Sequence, residues 1–135
     1  MRLAGDDGRL LQIERSECGP PGTPGDGDLL LNVSVRVFGY SASDQSWVVE
    51  QAWVGFLSQL RVLERQRRGQ AELVGASPDD LRLTFTVSDA AGHMSVSGHL
   101  GWQTPDGFKQ RMEFGFSFDP GLLATVLREF EVLGR

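Results

Sequence analysis

Alternation of apolar and polar residues with a period of two runs through most of this chain, broken twice by a helical period. The clearest stretch is Leu29 to Tyr40: Leu31, Val33, Val35 and Val37 fall on one face, Asn32, Ser34 and Arg36 on the other. Strict alternation predicts a strand with one buried face. Leu10 to Glu14 predicts a short earlier strand. Ser41 to Asp44 reads as a turn, and Trp47-Val48-Val49-Glu50 as the returning hairpin partner.

The period then changes. Trp53, Phe56, Leu57, Leu60 and Leu63 form the stripe of an amphipathic helix over about 52–68, with Arg61, Arg65 and Arg68 mostly off that stripe. Gly69 is placed to end it. Four more strands follow. Gln70 to Gly75 is short. Leu81, Leu83, Phe85 and Val87 alternate with Arg82, Thr84, Thr86 and Ser88. Met94, Val96, Leu100 and Trp102 alternate with His93, Ser95, Ser97, His99 and Gly101. Phe108, Met112, Phe114, Phe116 and Phe118 alternate with Lys109, Arg111, Glu113 and Ser117. The links Ser77-Pro78-Asp79-Asp80, Asp89-Ala90-Ala91-Gly92 and Thr104-Pro105-Asp106-Gly107 are turn-like and short, which predicts antiparallel hairpins. Asp119 and Pro120 supply an N-cap and a first helical residue, and Leu123, Val126, Leu127, Phe130 and Leu133 give the last helix its stripe.

The expected fold is therefore α+β, mainly antiparallel β-sheet in the order β-β-β-α-β-β-β-β-α. Two amphipathic helices cover the apolar face, and the polar face meets water. The 135 residues suit a single domain, 1–135, with a flexible Gly/Pro/Asp loop at about 16–28.

Composition narrows the function classes. The apolar fraction is 40% and the charged fraction 23%, the values of a globular protein. The N-terminus, from Met1 to Asp7, lacks the apolar core of a signal peptide, and no apolar run approaches the ~20 residues of a membrane span. Cys18 is alone, so no internal disulfide is expected. These features make the cytoplasm the default location and predict no membrane association. A net charge of −5 argues against nucleic acid as the partner.

The chain carries few motifs of catalytic or ligand-binding chemistry. Gly39-Tyr40-Ser41-Ala42-Ser43 lacks the second glycine of a nucleophile elbow, and no phosphate-binding loop is present. Asp26-Gly27-Asp28 is too short for a calcium loop. His93 and His99 fall on one predicted strand about 20 Å apart, too far for a shared ion, and read as exposed or hydrogen-bonded surface histidines. Glu113 is the sole acid on a long strand's polar face, where an ion pair accounts for it. The expectation is a non-enzyme without cofactor or metal. Trp53 and Trp102 follow apolar registers and are expected in the core; Trp47, near a hairpin turn, is expected to be partly exposed.

What remains is surface, and a broad polar sheet face suits protein binding. Candidate contacts on that face are Arg36, Arg82, Arg111 and Glu113. Glu17, Asp26 and Asp28, from the acidic stretch Ser16–Asp28, are candidates for electrostatic steering.

Three stretches carry a resemblance: Leu31-Asn32-Val33-Ser34-Val35-Arg36-Val37, Gly69-Gln70-Ala71-Glu72-Leu73, and Gly92-His93-Met94-Ser95-Val96-Ser97-Gly98. With Phe114-Gly115-Phe116-Ser117-Phe118-Asp119 and the leucine-rich helix after it, they resemble the WapI-type immunity proteins of bacterial polymorphic and contact-dependent toxin systems. The similarity spans roughly residues 28–133. The Gly/Pro loop from Cys18 to Asp28 departs from the more aromatic entry of that pattern. The resemblance implies a stoichiometric inhibitor that binds and occludes a cognate toxin domain, many such toxins being nucleases. Two alternatives stand beside it: a small ligand-binding or enzymatic domain, and a structural or regulatory module that self-associates through an edge strand.

Overall fold

A computed structural model describes residues 1–77 and 79–135. The expected turn at Ser77–Asp80 includes Pro78, which lies outside the described residues. The strands are β1 (Arg2–Ala4), β2 (Leu10–Cys18), β3 (Leu29–Val37) and β4 (Tyr40–Val48), then β5 (Gln70–Val74), β6 (Leu81–Val87), β7 (Met94–Gln103) and β8 (Lys109–Phe118). Helix α1 (Glu50–Gln66) joins the two groups, and α2 (Leu123–Leu133) closes the chain. All pairings are antiparallel.

The α+β architecture is the one the patterning predicts. The structure adds a three-residue strand at the N-terminus and divides the strands into two four-stranded meanders, β1-β2-β3-β4 and β5-β6-β7-β8. The division follows from α1, whose 17 residues stand between β4 and β5 and interrupt the hairpin sequence. Residues as short as β1 carry too little period to be read from sequence.

Two boundaries shift for identifiable reasons. Ser41–Asp44 is strand, not turn; the reversal is made by Phe38 and Gly39, with Val37 and Tyr40 as the closing pair. Ser, Ala and Asp misled because they populate turns, whereas here they line an edge strand with little to bury. The first long strand runs to Cys18 rather than stopping at Glu14. A register shift between Arg15 and Glu17 ends the alternation without ending the pairing.

Both sheets and both helices share one hydrophobic core. Its centre is aromatic: Phe56 of α1 and Phe130 of α2 meet edge to face at 5.0 Å, and Phe85 of β6 packs within 6.0 Å of Phe56 and 5.9 Å of Phe130. Trp53 joins them at 5.9 Å from Phe130. Thus both helices lie on the apolar face of the second sheet, and α2 also ties back to the first sheet. Glu129 accepts the amide of Arg2 at 2.9 Å, and Arg15 donates to the carbonyls of Leu133 and Arg135.

The helix ends are fixed by side chains from elsewhere. Val49 at the start of α1 offers no capping group, and Asp28 fills that role from the β2–β3 loop, accepting the Glu50 amide at 2.9 Å. At the other end the helix stops at Arg67, which is left-handed with φ 55°, two residues before Gly69, whose φ is 89°; the Arg67 guanidinium donates to the carbonyls of Glu64 and Pro120. The Asp119 cap is as predicted: it accepts the Gly121 amide at 2.9 Å, and Pro120 opens a short 3-10 turn leading into α2. Gly98, in the middle of β7, has no room for a side chain, because a β-carbon would fall against the Arg82 carbonyl.

Candidate binding surface

Two polar faces and one aromatic end make up the candidate surface. On the first sheet, Gln12, Glu14, Asn32, Ser34, Ser43 and Gln45 line a shallow hollow of about 480 Å³. Gln45 donates to Asn32 at 2.7 Å and Gln12 to Glu14 at 2.9 Å, so much of this polarity is spent within the face. On the second sheet, Arg82, His99 and Glu113 are register partners across β6, β7 and β8 and so share its outer face. Arg82 pairs with Glu72 at 3.4 Å; Arg111 pairs with Glu113 at 3.0 Å and lies 3.1 Å from the His99 ring.

The expected contact residues are therefore not one patch. Arg82, Arg111 and Glu113 come together on the second sheet, while Arg36 stands exposed on the first. Glu17 and Asp26 are exposed at the far end of the first sheet; Glu17 pairs with Leu30, six residues along β3 from Arg36, roughly 20 Å. Asp26 accepts the Gly22 amide at 3.0 Å inside a series of tight turns. Asp28 is half-buried and holds the start of α1. Sheet membership is set by pairing, which single-strand alternation does not carry.

The histidines also separate. His93 is exposed in the turn before β7, its Nδ1 2.6 Å from Asp89 Oδ2. Hydrogen bonding to Asp89, then its charge, raises the His93 pKa; hydrogen bonding to His93 lowers that of Asp89. His99 is buried rather than a surface residue, packed at the centre of the polar face beside Arg111. Among the described residues, no group of three His, Cys, Asp or Glu side chains could hold a metal ion. None of their helices is long and apolar enough to cross a membrane.

The feature that patterning missed is the aromatic end. β6 begins at Leu81, opposite Leu100, and the Gly101 amide still donates to the Asp80 carbonyl at 2.9 Å, so only Trp102 and Gln103 at the end of β7 have β8 as their sole strand partner. The β7–β8 ribbon overhangs its sheet. Trp102 keeps the apolar register predicted for it, but on the overhang it is 53% exposed, against 4% for Trp53. Trp47 is partly exposed, as expected.

Phe108 at the ribbon's turn is 65% exposed; Phe38 and Tyr40 on the β3–β4 hairpin are 65% and 75% exposed. A hollow of about 320 Å³ joins the two hairpins, lined by Ser41–Asp44 of β4 and by Leu100–Trp102 and Gln110–Met112. Trp102 also lines a second hollow of about 440 Å³ with Ser77, Asp79 and Asp80. Phe38 holds a left-handed backbone with φ 54°, disfavoured for a bulky residue, and the Arg9 guanidinium sits 4.6 Å from its ring centre. Both hairpins thus present large rings outward: the β3–β4 reversal carries Phe38 where turns favour small polar residues, and the β7–β8 hairpin sets Phe108 directly after its Thr104–Gly107 turn.

Compared with protein-family models, curated proteins and solved structures, the chain has no match.

Proposed function

We propose that this protein works by binding another protein through its aromatic hairpin end, with no bond-making chemistry of its own. The observation that supports this is the outward display of Phe38, Tyr40, Trp102 and Phe108 on two hairpins joined by one hollow. Exposed aromatics flanked by polar groups are the usual anchors of protein interfaces, whereas scattered single apolar residues are ordinary surface. The polar faces beside them, with paired Arg82, Arg111 and Glu113, suit a rim that excludes water.

The resemblance to WapI-type immunity proteins gives this binding a purpose. The partner is a cognate toxin domain, a nuclease being one class that suits an acidic inhibitor. Neutralisation proceeds by occlusion in the cytoplasm of the cell that makes both. The test is capture of the tagged protein from cells secreting candidate toxins, followed by growth assays with the recovered chain. Recovery of a toxin domain in equal amount, with growth restored by this protein, is the expected result. Growth that stays inhibited despite binding overturns neutralisation. The absence of any stoichiometric protein partner overturns the binding reading itself and favours a small-ligand screen.

A further inference from the structure

The four sheet edges are treated differently, and one is left open. β1 is three residues long, and α2 reaches its Arg2 amide through Glu129. At the β5 edge, Gln59 of α1 accepts the Glu72 amide at 2.8 Å. β8 carries Lys109, Arg111 and Glu113 along its outer half, and Gly5 packs against Phe116 and the Ser117 carbonyl at the other. Short length, covering side chains and charges are the devices by which edges avoid pairing with foreign strands.

Over Ser41 to Gln45, β4 carries a single charge, Asp44, and no basic residue or proline. Pairing with β3 begins at Val37 and Tyr40, and in an antiparallel ladder alternate residues turn their amide groups outward. Those of β4 are Ser41, Ser43, Gln45 and Trp47. Trp47 is engaged, its carbonyl accepting the Ala76 amide at 2.7 Å, and the Gln45 amide is met by Asp44 Oδ1 at 2.7 Å. Among the described residues, no backbone group is paired with the outward amides of Ser41 and Ser43. The edge opens onto the hollow that Trp102 lines.

We infer that the Ser41–Gln45 edge of β4 receives an extended segment of a partner protein as a fifth strand. The inference rests on the protein-binding reading and names the shape of what is bound. The edge spans five residues, about 17 Å, enough for a short strand, with the outward amides of Ser41 and Ser43 open and that of Gln45 held by the Asp44 side chain, which an incoming strand would displace. Ala42 and Asp44 face the same side as Val35 and Val33, toward Trp102. A matching segment places an apolar side chain beside Ala42, against the Trp102 ring, and a lysine or arginine opposite Asp44. Cross-strand pairs of opposite charge are the favourable ones, and the chain's net charge of −5 attracts such a segment.

The test uses the blocked heptapeptide Thr-Val-Thr-Lys-Thr-Val-Thr, its scrambled form, and a version N-methylated at alternate amides, titrated into the isotope-labelled protein by NMR. The expected result is a shift confined to the amides of Ser41, Ser43 and Gln45 and to the Trp102 indole. Affinity should fall at least about tenfold on N-methylation, which removes main-chain donors. Ser43→Pro should weaken binding similarly while preserving the fold, since the Ser43 amide points away from β3. N-methylated peptide binding as well as the parent, or no shift at the β4 edge at millimolar peptide, overturns strand addition. Shifts at Phe38, Tyr40 and Trp102 alone overturn it as well, while leaving the aromatic-end reading standing. A dimer in sedimentation that Ser43→Pro dissolves overturns the partner assignment and makes a second copy of this chain the occupant.

Discussion

Trp53 and Trp102 occupy equivalent places in the sequence pattern and opposite places in the molecule. Each follows the apolar register of its element. Trp53 is closed in by Phe56, Phe130 and the C-terminal Gly134, so tightly that a β-carbon on Gly134 would meet the indole nitrogen. Trp102 stands on a ribbon that has outrun its sheet. Register determines the direction a side chain faces; the elements packed on that face determine whether it is buried. The helix-covered end therefore carries the stability, and the hairpin end carries surface that the fold does not need.

The sharpest way to break this comparison is to truncate both rings. Trp53→Ala should cost about 3–5 kcal/mol in denaturant unfolding, the range for deleting a large buried aromatic. Trp102→Ala should cost less than about 1 kcal/mol, as for an exposed site. Equal costs would mean that the overhang is covered in solution.

A second contrast concerns backbone crowding. Gly98→Ala should destabilise by about 3 kcal/mol through the clash with the Arg82 carbonyl, measured by thermal or chemical melts. The substitution Gly39→Ala, at the hairpin turn where a β-carbon meets nothing within 4 Å, should be far milder.

The division between the ends was only half legible in the sequence. Strand identity, the Asp119 cap and the aromatic core were readable because period and capping chemistry are local. The overhang was not, because it depends on where β6 begins relative to β7, a register between distant segments. The Phe38–Gly39 reversal was hidden for another reason: a phenylalanine in a left-handed position contradicts turn preference. The candidate contacts Arg36 and Arg82 are equivalent in the pattern of their own strands and separate in the fold, because alternation within one strand does not say which sheet it joins.

Smaller effects sharpen the picture. Asp28→Ala should cost about 1 kcal/mol by removing the cap on Glu50, which would mark this acid as structural. Phe38→Asn should leave stability close to wild type, because relief of about 1 kcal/mol of left-handed strain offsets a cation–π contact of similar size. It should nevertheless weaken partner binding, which would show that the strained ring is kept for the surface.

The smallest effect is electrostatic. The lowered pKa of Asp89 adds stability above the ordinary carboxylate value of 3.8, lost as pH falls through the depressed value. The raised pKa of His93 adds stability below 6.5, lost as pH rises through the elevated value. Their combined contribution should form a plateau between roughly pH 4 and 6.5. In Asp89→Asn the His93 ring should titrate at lower pH than in the parent, as followed by NMR.

The most direct measurement compares partner recovery by three purified proteins from one extract: the parent, Tyr40→Ala/Trp102→Ala, and an α1 variant, Arg65→Ala/Arg68→Ala, at exposed positions in the last turn of α1 and just beyond it. The account predicts equal stoichiometric recovery by the parent and the α1 variant, and at least about tenfold less by the hairpin variant, as for loss of interface anchors. Full recovery by a folded hairpin variant would contradict it, because the aromatic end would then be surface without a partner.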